Sequence, residues 1–139
     1  MKGTPQNMQE NPYYEDTVGE IKDFLKEHLV YIEKNKINIE RVVIDPGIGF
    51  GKRVIDNLLI LKNLAKFKEL GRPIFIGTSR KRFIGNILNL NVEERLEGSI
   101  ATVIYAYLKG AKIFRVHDVK ETKRALDIIW TIENENTWT

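Results

Sequence analysis

Three short apolar runs set the limits on what this 139-residue chain can fold into. Arg41-Val42-Val43-Ile44-Asp45, Pro73-Ile74-Phe75-Ile76-Gly77 and Lys112-Ile113-Phe114-Arg115-Val116 are nearly continuous rather than alternating. That is the pattern of strands covered on both faces. Around them the apolar period lengthens to three and four. Val18, Ile21, Leu25, Leu29 and Ile32 predict an amphipathic helix from Thr17 to near Asn35. Leu58, Leu61, Leu64 and Phe67 predict a second, stopped by Gly71 with Pro73 just beyond. A short helix is expected over 81–88. A longer one is expected over 93–109, with Leu96, Ile100, Val103, Ile104 and Tyr107 on one face. The last helix, from Lys120 to about Glu133, carries Ala125, Ile128, Ile129 and Ile132. One helix followed by three strand-then-helix units means a parallel sheet covered by helices.

A three-stranded parallel sheet is small, and residues 1–13 read as a polar loop where an α/β domain would normally begin with a strand. The sequence therefore looks like the C-terminal portion of something larger. Several function classes are disfavoured. The best uncharged apolar stretch, Ser99 to Leu108, is ten residues, short of the roughly 18 that span a bilayer. The N-terminus has no apolar segment of the kind a signal peptide needs. With no cysteine there is neither a disulfide framework nor a thiolate zinc site, which fits a cytoplasmic protein. Net charge is only +3, and the one basic cluster, Arg80-Lys81-Arg82, has no interleaved aromatics for base stacking. Neither nucleic acid nor membrane is an expected partner.

Each strand ends in residues suited to chemistry: Asp45-Pro46-Gly47-Ile48-Gly49-Phe50-Gly51-Lys52, then Gly77-Thr78-Ser79-Arg80-Lys81-Arg82, then Arg115-Val116-His117-Asp118. Taken singly, each has a plain reading as a turn, a solvated basic patch or a structural histidine. The glycine-rich stretch fits neither common phosphate fingerprint, since Lys52 stands where a dinucleotide motif needs Gly and Arg53 where a P-loop needs Ser or Thr. Taken together they fall at the same end of parallel strands, where α/β proteins place their active face. Ser79 is expected to open a helix, its hydroxyl and the following N–H groups facing an anion. Lys81 and Arg115 supply cations, and Arg115 can stack on a heterocycle. Asp45, fixed by Pro46, can accept two parallel N–H bonds. Spacing alone reaches a binder of a small, anionic, heteroaromatic substrate.

These three blocks, extended through Phe83-Ile84-Gly85 and Val119, closely resemble the last three strand-end motifs of dihydropteroate synthases. The opening Met1-Lys2-Gly3-Thr4-Pro5-Gln6-Asn7-Met8-Gln9 is similar to that family's loop after its fifth strand. The resemblance runs over essentially the whole chain in family order. It implies an α/β fold: the last three βα units, preceded by one helix, of a (β/α)8 TIM barrel. Residues 1–139 would form a partial pterin-binding domain carrying strands 6–8. The implied reaction condenses p-aminobenzoate with 6-hydroxymethyl-7,8-dihydropterin diphosphate, giving 7,8-dihydropteroate and pyrophosphate in folate biosynthesis, with magnesium (Mg2+) assisting. The alternative is a non-catalytic half-barrel that holds pterin or p-aminobenzoate.

By the same resemblance, Asp45 would hold the pterin's pyrimidinone edge and Lys81 would bond the pterin from the other side. Arg115 would pack on its ring and meet the diphosphate, with His117 beside it. Ser79 would take the p-aminobenzoate carboxylate, next to Gly49 and Phe50. Such a barrel takes about 250 residues. The expectation is therefore that the first five strands and the main magnesium loop lie outside this chain, that it holds no metal ligands of its own, that it is incomplete as a catalyst alone, and that it forms homo-oligomers.

Overall fold

The computed structural model describes Met8 and residues 12–137, so most of the expected opening loop, and of the family-like stretch 1–9 all but Met8, lies outside the described residues. Five helices and two strands are described: α1 (Thr17–Lys34), α2 (Val54–Lys62), β1 (Ile74–Ile76), α3 (Arg82–Leu88), α4 (Leu96–Leu108), β2 (Ala111–Phe114) and α5 (Val119–Glu133). β1 and β2 pair in parallel, Phe75 opposite Ile113 and Ile76 opposite Phe114.

The first expected strand is the main correction. Residues 41–45 make one parallel bridge, Ile44 to Ile74, and no extended ladder. Its bonds are Ile44 N–H to the Pro73 carbonyl at 3.0 Å and Phe75 N–H to the Ile44 carbonyl at 2.8 Å. The neighbours that would lengthen it are the alternate residues Val42 and Pro46. A 3-10 turn at Ile39–Arg41 takes the Val42 N–H onto the Ile39 carbonyl, and Pro46 has no N–H to give. β1 is therefore central, between Ile44 and β2.

The helices follow the predicted periods with shifts that have local causes. α1 starts at Thr17 because Asp16 accepts the Gly19 N–H at 3.0 Å. The second helix begins earlier than its leucine pattern, since Asp56 accepts the Arg53 N–H at 2.8 Å, and it tightens into a 3-10 stretch over Leu64–Leu70. Leu58 consequently faces solvent, while Ile60, Leu61, Leu64 and Phe67 enter the core. The expected 93–109 helix divides into a 3-10 turn at Val92–Glu94 and α4. On α5 the expected face is only half realised: Thr122 is buried and Ala125 and Ile129 partly so, but Ile128 and Ile132 are exposed.

The core gathers Ile44, Ile48, Ile60, Leu64, Phe67, Ile74, Ile76, Phe83, Ala106 and Ala111. Asp56 is buried beside it and bonds to Thr17 Oγ1 and the Arg53 guanidinium, each at 2.8 Å, which ties the start of α1 to α2. Phe67 has no exposed surface. Phe67→Ala should therefore cost about 3–5 kcal/mol, read as a drop in the urea midpoint at unchanged slope. A loss under about 1 kcal/mol would remove Phe67 from the core.

Candidate functional site

Parallel pairing puts the residues after Ile44, Ile76 and Phe114 at the same end of the sheet. The loop after Ile44 is pinned from three sides. Asn57 Oδ1 accepts the Gly49 N–H at 2.7 Å, Lys52 Nζ donates to the Phe50 carbonyl at 3.0 Å, and Lys81 Nζ donates to the Ile48 carbonyl. Asp45 Oδ1 accepts the Gly47 N–H at 2.8 Å, closing the turn. Gly49 cannot carry a side chain here. Its φ is +82°, and a Cβ would lie 2.8 Å from Lys81 Cδ. Lys81 also stands 4.3 Å from the centre of the Phe50 ring.

The second and third strand ends interlock. Ser79 is buried, and its Oγ accepts the His117 N–H at 3.1 Å and lies 3.0 Å from His117 Nδ1. The Arg115 guanidinium sits 5.9 Å from the Phe75 ring centre, beside Gly77. The expectation that Ser79 opens a helix is corrected: α3 begins at Arg82, with Lys81 at its N-cap position, and the Ser79 hydroxyl faces His117. The basic cluster is not one solvated patch either. Arg80 pairs with Asp118 and holds that carboxyl below the usual range; Lys81 points inward; Arg82 is exposed.

The single expected mouth is three adjoining cavities. Gly77, Ser79, Lys81, Arg115, Val116 and His117 line one of about 110 Å³. Gly49, Phe50, Lys52, Lys81 and Arg82 are among the walls of a second, of about 340 Å³. Asp45, Pro46, Gly47 and Lys52, with Tyr14 and Ile21, line a third of about 150 Å³. Lys81 is shared by the first two, Lys52 by the last two. Ser79 is thus in a different cavity from Gly49 and Phe50. Three site residues were missed by sequence reasoning. Lys52 closes a quoted motif, Asn57 is a polar residue inside an apolar helical run, and Arg82 belongs to the basic cluster; none announces its direction.

Burial pushes the Lys52 ammonium down to about 8 against the opposing attraction of Asp45, and Lys81 lowers it further. Burial likewise takes Lys81 to about 8, with Asp45 opposing and Arg115 assisting. Both lysines thus remain mostly charged at pH 7 and lose their protons at a lower pH than an exposed lysine.

Residues 1–117 match the sequence family described as "Pterin binding enzyme". The chain belongs to that family. The dihydropteroate synthase of Escherichia coli K12 is 42% identical over 129 residues, covering 93% of this chain and 46% of that protein. The chain spans about half the length of the curated relatives it matches. The Yersinia pestis dihydropteroate synthase, solved in a sulfonamide drug complex, superposes with a TM-score of 0.94 at 37% identity, over 97% of this chain and 49% of that one. The Xanthomonas albilineans enzyme in complex with 7,8-dihydropteroate gives 0.86 at 41% identity, over 88% and 47%. The α/β fold is that of the dihydropteroate synthase barrels over about half their length.

The two lowered lysines give a signed expectation. An unfolded chain keeps them at the ordinary 10.5, so folding carries their burial penalty below about pH 8 and sheds it above. Their contribution to stability therefore rises between about pH 8 and 10.5, while cationic attraction for anions falls. Amine labelling mapped by peptide mass spectrometry should place the Lys81 midpoint near 8; a midpoint at 10.5 contradicts the burial described.

Proposed function

We propose that this chain forms strands six to eight of a dihydropteroate synthase barrel, as one partial domain over residues 1–139, and carries that enzyme's diphosphate and p-aminobenzoate subsites. The observation that carries this reading is Lys81, the cation common to the small anion-sized cavity and the larger one beside Phe50. A group that must meet both substrates where they join belongs in such a wall. The substrates are a pterin diphosphate and p-aminobenzoate, and the pathway is folate biosynthesis.

In the reaction the amine nitrogen of p-aminobenzoate bonds to the pterin's methylene carbon. The C–O bond to the diphosphate breaks with its electron pair, and the proton lost from the amine passes to solvent. Lys81, Arg115 and His117 line the small cavity and stabilise the leaving diphosphate. With the Ser79 hydroxyl proton directed at Nδ1, His117 carries its own hydrogen on Nε2, free to donate to that anion. Ser79 thus serves through His117. The p-aminobenzoate ring lies against Phe50 and Gly49, its carboxylate towards Arg82 and Lys81. Asp45 accepts from the pterin's amino-pyrimidinone edge, on the side of the site it shares with Lys52 and Lys81.

Magnesium, which the family resemblance implies, does not fit the described residues by themselves. No three His, Asp or Glu among them converge. Asp118 is paired with Arg80, and Asp45 bonds to its own loop between two lysines. No described helix is long and apolar enough to cross a membrane, and a cytoplasmic setting suits substrates of this kind. Exposed Ile128, Trp130 and Ile132 on α5 support self-association.

Asp45→Asn should weaken pterin-diphosphate binding by about 1.5–3 kcal/mol and leave p-aminobenzoate binding nearly unchanged, since one acceptor becomes a donor against the pterin's N–H pair. Calorimetry on the purified chain checks this, and equal losses for both ligands would take Asp45 out of the pterin subsite. Mixed with pterin diphosphate, p-aminobenzoate and magnesium, the chain alone should release pyrophosphate at least about 10³-fold more slowly than a complete synthase, because several preorganised groups are wanting at once. Light scattering on the same sample should report a species larger than a monomer. A rate within tenfold of the complete enzyme, or a monodisperse monomer, would count against this reading.

A further inference from the structure

Arg80 lines neither the core nor these cavities, yet it is tightly held at this end of the sheet. It is a non-glycine residue at φ +57°, in the left-handed region that disfavours a branched side chain. Its N–H, its carbonyl and two of its guanidinium nitrogens are engaged outside the site. Its N–H donates to Ser99 Oγ at 2.8 Å, and its carbonyl accepts from Arg95 Nη1 at 2.9 Å. Its guanidinium holds both Asp118 oxygens, with Nε 3.1 Å from Oδ2. Asp118 occupies the N-cap position of α5 but makes no capping bond to its own helix. The local use of that carboxylate has been given up in favour of Arg80. Arg95 is seated by two bonds to the Leu90 carbonyl and lies so close to Gly85 that a Cβ there would meet its guanidinium at 2.3 Å.

Sequence adjacency gives this cluster its consequence. Arg80 stands between Ser79 and Lys81, and Asp118 directly follows His117. One strained turn thereby fixes two cavity residues from the end of β1, and its ion pair fixes a third from the end of β2. We propose that Arg80, clamped by Ser99, Arg95 and Asp118, is the positioning residue of the anion cavity, aiming Lys81 inward and holding Ser79 in register with His117. It touches neither cavity nor reacting atoms. The inference rests on the functional reading above only in taking a diphosphate as the anion.

The test uses the full chain with two variants. Arg80→Gly keeps the left-handed backbone and removes the side chain; Asp118→Asn keeps shape and removes the charge. The chain has two histidines, and His28, on α1 with its ring against Phe24 and its Nδ1 2.8 Å from the Phe24 carbonyl, serves as internal reference. Imidazole 15N–1H spectra at fixed pH report the Ser79–His117 bond directly. Both variants should move the His117 resonances and leave those of His28 in place. Inorganic pyrophosphate, titrated by calorimetry, should bind about tenfold more weakly to each, with the double variant no worse than the worse single one. Folded variants with unshifted His117 resonances overturn the proposal, as do shifts in both histidines together, which would signal general loosening. If Arg80→Gly fails to fold, Asp118→Asn alone decides by the same criteria. Failure of the wild-type chain to bind pyrophosphate at all would sink the diphosphate reading, while the His117 spectra would still decide the positioning role.

Discussion

Two backbone hydrogen bonds at Ile44 carry more of this structure than their number suggests. They attach the first strand end to β1 at a single residue, and everything from Asp45 to Lys52 inherits its position from that point. A longer ladder is prevented by the 3-10 turn before it and the proline after it. Stability at this attachment comes instead from burial, with Ile44, Ile48 and Ile74 all in the core. Apolar packing holds the strand, and parallel pairing brings its end level with the other two.

With so short a ladder, the glycine-rich loop needs its own supports. Asn57, Lys52 and Lys81 each reach one of its backbone groups, and the two lysines do so at the cost of partial burial. Burial lowers their proton affinity, and Asp45 limits how far. The same groups thus hold the loop and set the electrostatics of the cavities it separates. A cation half removed from water interacts more strongly with an incoming anion than an exposed one, because less solvent screens it.

At the far end of the site the support is of another kind. Ser79, His117, Arg80 and Asp118 join two strand ends through side chains, where the sheet between them is only a few residues long. Arg80 resembles Lys81 and Arg82 in composition alone. Its direction is dictated by the left-handed turn, which sends consecutive side chains to different sides. The chain belongs to the pterin-binding family, and the contacts show how the residues at its three strand ends are held.

Much of this was legible in the sequence. The helical periods located five helices, two of the three continuous apolar runs located β1 and β2 while the third forms only the Ile44 bridge, and the strand-end motifs put Asp45, Ser79, Lys81, Arg115 and His117 at the end of the sheet that holds the cavities. These features depend on local spacing, which a sequence carries directly. It did not disclose that Val42 would lose its ladder bond to a 3-10 turn, that Lys52 would be buried, that Asn57 would hold Gly49, or that Arg80 would turn away from its basic neighbours. The Val42 turn closes locally on Ile39 and Asn57 reaches back only eight residues, but the direction of Arg80 depends on Ser99 and Asp118, distant along the chain, and is settled only when packing brings them together. Residue type and period determined what the elements are; long-range contact decided which way their side chains face.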